Sequence, residues 1–127
     1  MTETIRWPYR LLILAYCLGL FILSHQSSSP ITTPKLLSIP GLDKIVHAIL
    51  YAGLAGCCSI GLRRSNTEVR TWVQCFIPVL FAMLYGLSDE IHQLFVPKRM
   101  FDWWDWCADC VGAIAAQVFL CKWVWKL

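Results

Sequence analysis

The chain has 127 residues, 57% of them hydrophobic, with seven Trp and a formal net charge of +3. That is too apolar for an ordinary soluble domain and too short for more than one compact unit, so a single domain over residues 1–127 is expected. The mild positive balance clusters near hydrophobic boundaries, and no basic array with interleaved aromatics could track a phosphate backbone, which argues against a nucleic-acid partner.

Four apolar segments follow in order, at about Pro8 to Ser24, Leu42 to Leu62, Val69 to Phe95 and Asp105 to Trp125. Each is near the roughly 20 residues that cross a hydrocarbon core of about 30 Å. All four are expected to be helices, because unpaired backbone groups cannot face lipid. The first follows Arg6 and Arg10 like a signal peptide but lacks a small-x-small cleavage site, so it reads as a retained helix. The linker after it, HQSSSPITTPKLLSIPG, holds Pro30, Pro34 and Pro40 and reads as an irregular loop.

Charge asymmetry sets the expected orientation. Arg6, Arg10, Arg63, Arg64, Arg70, Lys122 and Lys126 lie at one set of helix ends, while the other side carries Lys35, Lys98 and Arg99. The positive-inside rule then puts both termini in the cytoplasm. Trp123 and Trp125 read as interfacial anchors, and Trp103, Trp104 and Trp106 as an outer aromatic belt.

The outer ends of three helices are unusually polar. At 100° per residue, Asp43, Lys44, His47 and Tyr51 fall within about a 100° arc. Asp105 and Asp109 are one turn apart, with Asp102 just ahead, whereas Asp89, Glu90, His92 and Gln93 span roughly 160° and cannot all point one way. One Asp or Lys at a helix centre costs about 2.5–3.5 kcal/mol, so such groups turn inward and pair. The economical arrangement is a polar cleft opening outward, with Lys44, Lys98 and Arg99 offsetting part of the acid excess. Two series of small residues, Ala48, Ala52, Gly56 and Ala108, Gly112, Ala116, would allow close helix packing around it.

Two readings of these groups stay open. In one, Lys44 and Arg99 hold an anionic group while His47, Asp89 or Glu90 transfers a proton, with Gln93, Asp102, Asp105, Asp109 and Tyr51 contacting the substrate. In the other, the site binds, transports or scaffolds without turnover. Lys44 with Asp43 or Asp89 is also readable as a structural ion pair, and His47 as a hydrogen-bond donor across the bundle, while Arg99 suits a phosphate or carboxylate as well as Asp102 or Asp105. No cofactor is expected: His47, Asp89, Glu90, His92, Asp105 and Asp109 could supply a divalent ion, but no ligand spacing such as H-E-x-x-H is present. Cys107-x-x-Cys110 has redox spacing but stands alone, and the other five cysteines read as packing residues.

The motifs SSSP, DKIVHAILYAGLA, SDEIHQLFVPKR and DWWDWCADCVGA, in that order from about Ser28 to Gly112, resemble the VanZ-like membrane proteins, named after a factor conferring teicoplanin resistance. The matched positions include Asp43, Lys44, His47, Asp89, Glu90, Gln93, Arg99 and Asp105; the chain departs at Asp109, where that pattern often has Asn. The resemblance implies a four-helix envelope protein in the bacterial cytoplasmic membrane, linked to glycopeptide resistance. Taken with the bidentate fork that Arg99 offers a phosphate or carboxylate, it leads us to expect an anionic envelope lipid or lipid-linked cell-wall precursor as partner, beside the bilayer itself. It brings no reaction mechanism, and oligomeric state is left open.

Overall fold

The computed structural model describes residues 5–26, 39–65 and 68–127. The chain order is α1 (Trp7–His25), α2 (Leu42–Ser65), α3 (Thr71–Gln93) and α4 (Trp103–Phe119), with a π-helical turn at Leu120–Val124 prolonging α4. All four spans are long and apolar enough to cross a membrane, and no strand occurs among the described residues. The SSSP motif, Pro34 and Lys35 lie outside the described residues.

Local chemistry explains where the boundaries differ from the hydropathy pattern. Pro8 stands in the first turn of α1, where its missing N–H is no loss. Gly41, at φ +83°, turns the chain into α2, a left-handed conformation that costs glycine little. Thr71 rather than Val69 opens α3, and a turn through Val96 closes it at Gln93, two residues short of Phe95. At α4 the helix starts at Trp103 and not Asp105. Asp102 accepts the Trp104 N–H at 2.8 Å, an N-cap that supplies one of the helix's orphan donors with an acceptor.

The helices run alternately up and down. At one end the Arg6 N–H donates to Ser65 Oγ at 2.7 Å, and the Cys75 and Cys121 sulfurs are 3.2 Å apart. At the other, His25 Nδ1 is 3.2 Å from His92 Nε2, and Lys44 meets Asp105. Packing is most extensive between α2 and α4, α3 lies against both, and α1 flanks α2 and α3. The α2–α4 approach is tightest at Gly112, where an added Cβ would overlap the Ala48 backbone, so this pair of the small-residue series does allow close packing. Gly56 faces open space and contributes no such contact.

Polarity is arranged inside out. Leu11, Leu14, Leu18, Phe76, Leu84 and Val111 are exposed, while Ser59, Gln74, Glu90, Asp109 and Gln117 are buried. In hydrocarbon an outward leucine costs nothing and an outward carboxylate costs heavily, so the polar groups face one another.

Candidate functional site

Three helix ends deliver the site. The first turns of α2 supply Asp43, Lys44 and His47, the last turns of α3 supply Asp89, Glu90 and Gln93, and the start of α4 supplies Asp105 and Asp109, with Asp102 as its cap. Side-chain exposure falls steadily inward, from 51% at Asp43 through 31% at Lys44 and 14% at Asp105 to 0% at Asp109. The outer groups are therefore partly exposed and the inner ones buried.

Lys44 organises the more exposed part of this cluster. Its ammonium donates to Asp43 Oδ2 at 2.8 Å, to Asp102 Oδ2 at 2.7 Å and to Asp105 Oδ1, which pins α4 against α2. Of the two structural partners expected for Lys44, Asp43 is present; the others are Asp102 and Asp105, with Asp89 turned elsewhere. The Lys44 ammonium, with the Trp104 N–H, holds the Asp102 carboxyl below the usual carboxylate range. The Asp102 N–H in turn donates to Glu90 Oε2 at 3.0 Å, so this one residue ties α2, α3 and α4 together.

Further inward, His47 Nδ1 is 2.9 Å from Asp109 Oδ1, and its Nε2 lies 3.6 Å from Asp105 Oδ2. Glu90, fully buried, joins this inner pair: His47, Glu90 and Asp109 each place one potential ligand atom within 4.8 Å of the others. Glu90 Oε1 and Asp109 Oδ2 are buried and accept no hydrogen bond from the described residues.

The four polar residues at the end of α3 separate, as their wide arc requires. Asp89 accepts from the Tyr51 hydroxyl at 3.3 Å, and Gln93 Nε2 reaches Ser24 Oγ of α1 at 3.4 Å, while Glu90 turns toward α4. His92 stacks on Phe21 and His25, away from the His47 cluster. Arg99 stands at the rim and donates its Nε–H to the Gln26 carbonyl at 3.1 Å, rather than to Asp102 or Asp105. Trp103 and Trp104 are exposed, whereas the Trp106 indole donates to the Met83 carbonyl at 3.0 Å and braces α4 on α3. Cys107 and Cys110 are free thiols.

A second set of polar contacts, which the motif pattern did not single out, lies deeper. Gln74 Nε2 donates to Ser59 O at 3.1 Å and Ser59 Oγ at 2.8 Å, and Gln117 Nε2 donates to the Gln74 carbonyl. The available signal was Pro78, which lacks the N–H that would bond the carbonyl four residues back, at Gln74. Near the opposite end a predominantly apolar groove of about 380 Å³ is lined by Ile13, Cys58, Leu62, Trp72, Ile77 and Phe81.

A bundle of four helices long and apolar enough to cross a membrane, with most of its carboxylates, Lys44 and His47 gathered at one end, is a polytopic membrane protein with a polar site. The chain belongs to the VanZ/LLP1 family, whose sequence model matches residues 9–125. No curated protein and no solved structure matches it.

Proposed function

We propose that this chain is a multi-pass protein of the bacterial cytoplasmic membrane whose polar site opens on the outer leaflet, where it binds or acts on an anionic envelope lipid or lipid-linked cell-wall precursor and lowers glycopeptide susceptibility. One observation carries the reading: α2, α3 and α4 bring their carboxylates, Lys44 and His47 to a single end of the bundle, graded from exposed to fully buried. The orientation is supported by Arg63, Arg64, Arg70 and Lys122, which gather at the opposite helix ends and favour the cytoplasmic side.

Within that reading Lys44 is neutralised by three carboxylates, so contact with an anion falls to Arg99 and Lys98 at the rim. His47, Asp89 and Glu90 are the groups able to transfer a proton. The mutual pairing of Lys44, His47 and Tyr51 with acids favours a second reading, binding or scaffolding without turnover.

Purified protein reconstituted with labelled polyprenyl-phosphate precursors tests both. Binding that weakens at least tenfold in Arg99→Ala supports the site, and product that vanishes in Asp89→Asn makes it an active site. Binding without product leaves the second reading. No binding, together with unchanged teicoplanin sensitivity of a susceptible Gram-positive host expressing the chain, rejects the proposal.

A further inference from the structure

We propose that His47, Glu90 and Asp109, one from each of α2, α3 and α4, form a binding site for a divalent first-row cation of the Mn²⁺ class. The three ligand atoms lie within 4.8 Å of one another. His47 Nδ1 and Asp109 Oδ1 are already 2.9 Å apart, and two atoms each about 2.1 Å from a common ion stand about 3.0–3.4 Å apart. Glu90 would complete the set by moving its ligand oxygen closer, from within 4.8 Å of the other two.

An independent observation points the same way. Glu90 and Asp109 have no exposed surface, yet Glu90 Oε1 and Asp109 Oδ2 accept no hydrogen bond among the described residues. Asp109 Oδ2 lies against Gly86, one turn before Glu90 on α3, where an added Cβ would stand 2.9 Å from it. Two dry carboxylates beside one imidazole are an expensive arrangement in a membrane domain, and one dication would neutralise both. Lys44 cannot, because three other carboxylates surround it.

The donor set defines the ion. Two carboxylates suit Mn²⁺, Mg²⁺ and Ca²⁺, whereas an imidazole favours the transition ions over the last two. With Nδ1 on the ion, His47 Nε2–H would face Asp105 Oδ2, now 3.6 Å away, the carboxylate contact that commonly orients a ligating histidine. The cation does not depend on the proposed function. One consequence does rest on it: a bound dication would let an otherwise acidic pocket attract a phosphate.

The test titrates Mn²⁺ into the full chain in detergent, without lipid, following loss of the free-ion resonance. Mn²⁺ is the probe because it ignores the chain's thiols better than softer ions do. One ion per chain is expected, at least about tenfold weaker in Glu90→Gln and in Asp109→Asn and within twofold of wild type in Asp43→Asn. Equal binding in all four proteins, or none in wild type, overturns the site and leaves His47–Asp109 an ion pair only. Should both amide variants fail to fold, spin-echo spectra of Mn²⁺ on wild type decide: a nitrogen coupling from one imidazole that persists in His92→Gln supports the site, and its absence or its loss in that variant overturns it. Because no lipid is present, failure here is separable from failure of lipid binding.

Discussion

The side-chain amide of Gln117 on α4 donates to the backbone carbonyl of Gln74 on α3, the carbonyl that Pro78 leaves without its helical donor. A proline inside a membrane helix is tolerated when a neighbouring helix supplies the missing hydrogen bond, and here Gln117 does so. Replacing Gln117 with Leu should cost about 1–2 kcal/mol, near the upper end for an interhelical hydrogen bond in a membrane. In a Pro78→Ala background the restored N–H reaches Gln74 itself, so the same change should cost less than about 0.5 kcal/mol. A double-mutant cycle read by reversible unfolding in mixed micelles checks this, and equal costs in the two backgrounds would disprove the compensation.

Gly112 sets the spacing of α2 and α4. Its missing Cβ is filled by the Ala48 backbone, which cannot rotate aside as a side chain can. Gly112→Ala should therefore destabilise the fold by about 2–3 kcal/mol and loosen the Lys44 and His47 contacts one to two turns away. Gly56→Ala, at a site with open space, should be neutral or slightly stabilising. Thermal denaturation of the two variants side by side gives the comparison.

Asp102 links stability to pH. Its carboxyl is held below the ordinary range by the Lys44 ammonium and the Trp104 N–H, so its folded pKa is lower than its unfolded one, about 3.9. The stabilisation is complete above that unfolded value and is lost as pH falls through the folded one. Asp43 and Asp105 share Lys44, and Glu90 accepts the Asp102 N–H, so total stability mixes several groups. The difference between wild type and Asp102→Asn isolates the term. It should be constant from pH 5 to 7 and shrink below about pH 4; a difference that grows with acidity would contradict the assignment.

Thiol proximity reports the other end of the bundle. Cys75 and Cys121, both free thiols, have their sulfurs 3.2 Å apart on different helices, whereas the free thiols Cys107 and Cys110 lie toward the start of α4. Mild copper-catalysed oxidation should join Cys75 to Cys121, each thiol losing a proton and an electron to the oxidant. Peptide mapping checks the link, and its absence from folded, oxidised protein would show that α3 and α4 do not meet there.

Hydropathy and spacing alone place four spans, an acidic end and the Ala48–Gly112 type of contact, because lipid rejects polar groups so strongly that their positions survive in one dimension. The i, i+4 relation of Asp105 and Asp109 and the arc from Asp43 to Tyr51 are equally readable, since they depend only on helical pitch. Partner choice is not. Lys44 takes Asp102 and Asp105 on α4, and the α3 groups divide among Tyr51, α4 and Ser24. Charge and spacing would have allowed several other pairings. Pro78 marks the Gln74 carbonyl as lacking its helical donor, but that Gln117 supplies one, and that Asp102 caps α4, depends on backbone positions.

What the residues determine by themselves is thus one-dimensional: which stretches cross the bilayer, how they alternate, and that their ionisable ends need company. Tertiary structure alone decided the company, drawing His47, Glu90 and Asp109 together and leaving His92 outside. The physical reason is that pairing depends on helix rotation and separation, which the bulk of Gly112 and Ala48 sets and no local propensity encodes.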